Sequence, residues 1–213
     1  MKRVISSALL KRSLGETIFD LGNGVLYDLC RSHPDHTEDD VIVAKVWLIG
    51  RSYAAAIERG RASAKSIPGD RFYKKRVAAR IRRSAIDHWF RQVREDRANE
   101  RLLSLKIHDR VARLFAKVAG RTKRSLASKY LHFHFPHRFY IYDSRAAAAV
   151  RCLTGPLLPP GPLESLADQV YVQFWLRCEA LNRNIEILFG RRLTPRELDK
   201  VLLTVGRTNT NAR

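Results

Sequence analysis

Acidic residues are scarce in this sequence: 21 Asp and Glu stand against 40 Lys and Arg in 213 residues, a formal charge of +19. That excess, with a pI near 10.6, is far from the balance of an ordinary metabolic enzyme and points to a polyanionic partner, nucleic acid first. Long apolar runs are also missing. No stretch reaches the ~20 residues needed to cross a bilayer, so no membrane partner is expected. The start, Met1-Lys2-Arg3 followed by Val4 to Leu10, meets Lys11-Arg12 too soon for a signal peptide, and a cytoplasmic protein is expected. Cysteine is limited to Cys30, Cys152 and Cys178, odd in number, widely spaced and without a CxxC pair. Buried free thiols fit that pattern better than a disulfide frame or a zinc site. There is no GxGxxG, P-loop, HExxH or GxSxG, which removes the motif-bearing phosphate-binding, zinc-protease and α/β-hydrolase classes. Internal repeats and low-complexity tracts are absent as well.

What is present is a series of helix-length amphipathic pieces, and an all-α fold is expected. Residues 13–31 carry Leu14, Ile18, Leu21, Val25, Leu26 and Leu29 at helical spacing, with Gly22-Asn23-Gly24 as an interruption or a close approach. Thr37 precedes three acids and is placed to cap a helix. Its continuation, Val41 to Ile49, is apolar nearly all round and should be central; Tyr53 to Arg59 continues it after a kink. Asp70 can cap a long helix to Val93 that buries Tyr73, Val77, Ile81, Ala85, Trp89 and Val93. Its other side carries Lys74, Lys75, Arg76, Arg80, Arg82, Arg83 and Arg91. Such a ridge is either a solvated face or a phosphate clamp. Arg101 to Val118 forms the next helix and Gly120 ends it.

Four prolines and two glycines between Gly155 and Pro162 mark a loop, after which Glu164 to Phe189 reads as a long helix. Thr194-Pro195-Arg196-Glu197 combines a cap, a proline at the first helical position and a glutamate at the third, a strong start for a helix to Val205, with Gly206 as its end. The residues after the proline-rich loop, roughly fifty, are too few for an independent core. One helical domain over 1–213 is therefore expected, with a first helical segment at 1–36, a core at 37–155, and helices at 156–213 packing back on that core.

The chain is organised around Lys123 to Ala149. Ser125 can cap an amphipathic helix with Leu126, Tyr130 and Phe133 on one face; Pro136 stops it. Arg138 to Tyr142 is rich in aromatic and β-branched residues and reads as extended. Asp143 then stands at the mouth of a helix from Ser144 to Leu153, where its carboxylate can accept bonds from orphan backbone N–H groups. A lysine on one helix thus comes close to an aspartate at the start of the next. His132, His134 and His137 do not form a metal site, because positions two apart on a helix diverge by about 200°. No cofactor and no metal are expected.

The pattern SLASKYLHF, a proline, then YIYDSRA resembles the helix–aspartate segment of the helix-hairpin-helix DNA glycosylases, most closely those of the 8-oxoguanine glycosylase fold. VWLIGRSYAAAIER also looks like a segment of small bacterial proteins of this fold. The resemblance covers roughly residues 41 to 155, making 37–155 a glycosylase-like core without the β-rich N-terminal domain of larger members. It implies a lysine that attacks the deoxyribose C1′ of an extruded nucleotide to form a Schiff base, and an aspartate that supports the developing charge and the proton transfers. Double-stranded DNA, bound at the nucleoid, is the implied partner. Lys129 fits the SKYLHF pattern. Lys123 is the alternative nucleophile, because it follows Gly120 where the hairpin register places it. Asp143 takes the aspartate's place, with Arg51, Tyr53, His132, His134, Phe133 and Tyr142 as candidate pocket residues.

The chemistry suits these residue types: partial burial lowers a lysine's pKa, and a carboxylate held by helix N–H groups stays ionised beside an oxocarbenium-like sugar. Plainer roles stand beside the catalytic ones: a snorkelling lysine, an N-cap aspartate and an aromatic core. The implied activity is removal of a modified purine such as 8-oxoguanine, with or without lyase action. The alternative is a non-catalytic module that binds nucleic acid or a modified nucleobase, in bacterial antiviral defence, since proteins of this fold occur beside antiviral genes.

Overall fold

The computed structural model describes residues 5–59, 69–98, 100–156, 161–162 and 167–210, and among them there is no strand. The helices are α1 (Ser7–Ser13), α2 (Asp20–Ser32), α3 (Asp39–Ser52), α4 (Gly69–Phe72), a π-helical segment (Tyr73–Ala78), α5 (Ala79–Arg82), α6 (Ile86–Glu95), α7 (Arg101–Ala119), α8 (Arg124–His134), α9 (Ser144–Leu153), α10 (Gln169–Phe189) and α11 (Pro195–Thr210). The all-α expectation holds. No helix among the described residues is long and apolar enough to cross a membrane.

Helix α8 is the central element. Every residue from Leu126 to Phe133 is buried, and α7, α2 and α3 pack around it. Helix α11 packs against α9 and meets α1, and α10 also packs against α9. Burial of this kind stabilises at roughly 25 cal/mol per Å² of apolar surface, and it outweighs the cost of enclosing several polar side chains in the same core. His36 is one of them. Its Nδ1–H donates to Asp87 (2.5 Å), its backbone N–H donates to the other carboxylate oxygen (3.1 Å), and its Nε2 accepts from the Tyr130 hydroxyl (2.8 Å).

Several helix boundaries differ from expectation, each for a local reason. The helix expected over 13–31 begins only at Asp20, because the Thr17 N–H donates to Asp20 Oδ2 (2.8 Å) and closes a turn that Lys200 holds through Gly15 O and Asp20. Ile18 and Leu21 consequently face outward at 91% and 83% exposure, and α2 buries Asn23, Leu26 and Cys30 instead. Gly22 and Gly24 neither interrupt α2 nor meet a neighbour. Thr37 does not cap α3; Glu38 occupies that position without a side-chain bond. Nor is α3 buried all round, since Trp47 is exposed while Ile42, Val46 and Ile49 are fully enclosed.

The chain does not continue as helix past Ser52. Ala54 is left-handed (φ 51°), the Ala55 N–H donates to Gly50 O (2.7 Å), and the returning backbone passes so close that a Cβ at Gly50 would sit 3.2 Å from Ala56 Cα. Glycine at 50 permits that return. The single helix expected from Asp70 to Val93 begins at Gly69, with Asp70 inside its first turn, and breaks after Arg82. Ser84 causes the break: its hydroxyl donates to Ile81 O (2.6 Å) and accepts from the Ile86 N–H (3.3 Å), competing with the helix ladder.

Helix α7 ends as expected at Gly120, which is left-handed (φ 73°). Helix α10 starts at Gln169, where Asp168 accepts from the Val170 and Tyr171 N–H groups; the expected start at Glu164 lies outside the described residues, as does much of the proline-rich loop. Thr194 and Glu197 form the expected reciprocal cap, but α11 runs through Gly206 to Thr210. Cys30 and Cys178 are buried free thiols; Cys152, also free, is exposed rather than buried.

Candidate active site

The start of α8 differs from expectation in a way that shapes the site. The helix begins at Arg124, so Lys123 takes the cap position without capping, and Ser125 lies inside the first turn. The Ser125 hydroxyl, freed from a capping role, instead accepts from Lys129 Nζ one turn later (2.8 Å). Lys129 Nζ also donates to Tyr53 O (3.3 Å) and lies 5.7 Å from the Tyr53 ring centroid, within cation–π range. Lys123 Nζ donates to Ala56 O (2.9 Å) and Arg59 O (3.0 Å). Both lysines thus anchor the 53–59 turn that Gly50 allows.

Asp143 arrives from the other side. Ser128 Oγ accepts from the Tyr142 N–H (3.0 Å), tying the non-helical 139–143 segment to α8. Asp143 is extended (φ −147°, ψ 173°) and accepts from the Ala146 N–H (2.7 Å), the expected N-cap of α9. Lys123, Lys129 and Asp143 all line one cavity of about 740 Å³, together with Tyr53, the Ala54–Ala56 turn, Ser125 and Tyr142. Arg59, Arg121, Arg124 and Arg145 add positive charge to the lining. Arg124 is already engaged, pairing with Asp168 (2.6 Å) over the Tyr142 ring.

Burial lowers the pKa of Lys129, opposed by the negative charges of Asp143 and Asp199. Lys123 is pulled down to about 8, chiefly by burial and then by Arg121; Glu58 opposes the shift. The two lysines therefore sense different neighbours, and Lys129 is the one coupled to Asp143. No ion pair joins them among the described residues. Asp199, on α11, is a buried acid that the sequence did not single out. Burial raises it to about 7 against the pull of Arg196, which donates to it at 2.7 Å, and its Oδ1 is buried without a partner. The only trace in the sequence is an Arg–Asp pair at i, i+3. Its burial depends on α11 packing against α9.

The other expected pocket residues divide. Tyr53 and Tyr142 line the cavity. Phe133 lies behind Tyr53, ring to ring at 5.4 Å, and is core. His132 is fully buried, donating from Nδ1 to Phe139 O (2.9 Å) and accepting at Nε2 from the Tyr27 hydroxyl (2.7 Å); burial drives its pKa down to about 3. His134 packs on Phe90 and His36, away from the cavity. Arg51 turns outward to pair with Glu58. Phe133, His132 and His134 miss the cavity because only the face of α8 that carries Ser125 and Lys129 borders it.

The expected phosphate ridge is also divided. Lys75, Arg76, Arg80 and Arg83 line a second concavity, joined by Lys117 of α7. Lys74 is not part of it, and Arg82 turns to Asp39 (3.0 Å). Among the described residues no group of three or more His, Cys, Asp or Glu side chains is arranged to hold a metal ion. No known protein family, no characterised protein and no solved structure matches this chain.

Proposed function

We propose that this chain is a DNA N-glycosylase that takes an extruded modified purine nucleotide into the cavity of Lys129 and Asp143, with the helix-hairpin-helix glycosylase core as its architecture. The observation that carries the proposal is the meeting of Lys123, Lys129 and Asp143 in one positively rimmed cavity. A nucleotide that enters must leave its stack, and arginines around the opening suit its flanking phosphates. Lys129, whose pKa burial lowers, attacks once its ammonium has given up a proton. Its lone pair attacks C1′ while the glycosidic C1′–N bond breaks and its electrons leave with the base, which takes up a proton. Asp143 stabilises the positive sugar and accepts the proton that the attached amine loses. Ring opening then leaves an imine between Lys129 Nζ and C1′. Lys129 is preferred over Lys123 because its charge is coupled to Asp143.

A second reading, a non-catalytic module that binds a nucleobase or nucleic acid, draws on one specific observation. Lys129 already satisfies Ser125 and Tyr53 and is only 2% exposed, as a purely architectural lysine would be.

Borohydride trapping on a duplex containing 8-oxoguanine and on one containing an abasic site separates the two. The glycosylase reading expects a covalent adduct on the 8-oxoguanine duplex that Lys129→Ala abolishes and Lys123→Ala retains. Loss only in Lys123→Ala would transfer the nucleophile's role. Tight binding without an adduct on either duplex would leave the binding module.

A further inference from the structure

The second concavity, of about 520 Å³, lies between the π-helical segment with α5 on one side and the C-terminal end of α7 on the other. Lys75 and Arg76 of the π-helical segment, Arg80 of α5 and Arg83 just after it all line the cleft. Lys117 faces them from α7, and Ala79, Leu114 and Val118 form an apolar floor. No acidic side chain lines this cleft. Several arginines nearby do have carboxylate partners: Arg82 of the same helix meets Asp39, and Arg113 of α7 meets Asp109. None of the five cleft cations has a carboxylate within ion-pair distance among the described residues. Like charges this close repel, and a single glutamate in the lining would relieve them. The fold leaves the repulsion standing, and an external anion would relieve it.

The cleft also adjoins the candidate active site. Lys117 is in the last turn of α7, and Arg121, four residues later and just past Gly120, lines the cavity. The same helix end therefore serves both concavities.

We infer that the cleft is a phosphodiester track for the DNA strand whose extruded nucleotide occupies the cavity. The inference rests on the glycosylase-type reading of that cavity for the strand's identity, and on the cleft's own charge for its binding. Ammonium and guanidinium groups above an apolar floor fit a sugar–phosphate backbone, with phosphates at the cations and deoxyribose against Ala79, Leu114 and Val118. The lining holds no Asn, Gln or carboxylate with which to read adenine or cytosine edges, and in this track its cations are taken up by phosphates.

The test is the affinity of the full chain for an undamaged duplex of about 20 base pairs over a salt series, followed by fluorescence anisotropy. The triple variant Arg76→Gln, Arg80→Gln, Lys117→Gln is compared with Arg113→Gln, a control on α7 outside the cleft. All three cleft side chains are exposed, so the variant folds. Losing three phosphate contacts should flatten the slope of log K against log salt by about 2–3 and weaken binding at least about 30-fold at low salt, with the control unchanged. A slope equal to the wild type's would overturn the track. So would binding to phosphatidylserine vesicles that needs these residues while duplex binding does not. Borohydride trapping at saturating protein keeps the two readings apart. An adduct with an unaltered slope refutes the track alone; a flattened slope with no adduct refutes the lysine chemistry and leaves the track standing.

Discussion

The core around His36 and the cavity around Lys129 both enclose titratable groups, yet they use burial differently. In the core, Asp87 and Tyr130 meet both nitrogens of His36. The network closes on itself, and burial holds the ring below its ordinary pKa, against the opposing pull of Asp87. At the cavity, each lysine donates two hydrogen bonds, to carbonyls or a hydroxyl, whereas an ammonium has three donors. Asp199 keeps an unpartnered oxygen nearby. A closed network specifies a fold, whereas spare hydrogen-bonding capacity beside open space is what a ligand can use.

Acidification should break the core hardest. His108 and His132 are held near 3 by burial, so below their ordinary value of 6.5 the unfolded chain binds protons that the folded chain refuses. Stability is then complete above about pH 6.5 and falls as the pH drops toward 3, by about 2 kcal/mol per histidine between pH 7 and 5. Urea denaturation across that range measures it, and a flat profile would contradict the burial of these two rings. Replacing Asp87 with Ala leaves the buried His36 donors without a partner and should cost about 1–3 kcal/mol, read in the same denaturation experiment.

The cavity side is sharpened by separating the two duties of Asp143. Asp143→Ala should cost about 1 kcal/mol through the lost cap and also lose the borohydride adduct; Asp143→Ser keeps a capping oxygen and should recover the stability but not the adduct. An adduct restored by serine would reduce Asp143 to a cap. The smallest effect is expected at Lys45, fully buried with its Nζ donating to Asp35 O (3.0 Å) and its pKa lowered to about 8 by burial. Lys45→Met should lie within about 1 kcal/mol of the wild type, because an apolar chain of similar volume removes the desolvation cost along with the bond.

Legibility follows the range of the interactions involved. The cap of α9 by Asp143, the Thr194–Glu197 reciprocal cap and the left-handed end of α7 at Gly120 rest on residues within a few positions of one another, and all were readable. Ser84 and Ser125 are equally local, but a serine hydroxyl has several neighbours to choose from, and which one it takes depends on where the helix starts or breaks. Asp199 carried only its i, i+3 pairing with Arg196 and Lys117 carried no local signal, since one is buried where α11 packs on α9 and the other joins a cleft built from a different helix.

The sequence by itself determined the all-helical composition, several helix termini, the strong positive charge and the approach of a lysine of the 123–129 stretch to Asp143, because each depends on spacing, on capping chemistry or on a sum over residues. Only the tertiary structure decided which face of α8 meets open space, which cations of the 74–83 ridge remain unpaired, and that Asp199 is buried near Lys129 and Asp143. Those outcomes depend on how helices far apart in the chain pack together, and packing selects among faces that the local pattern leaves equivalent.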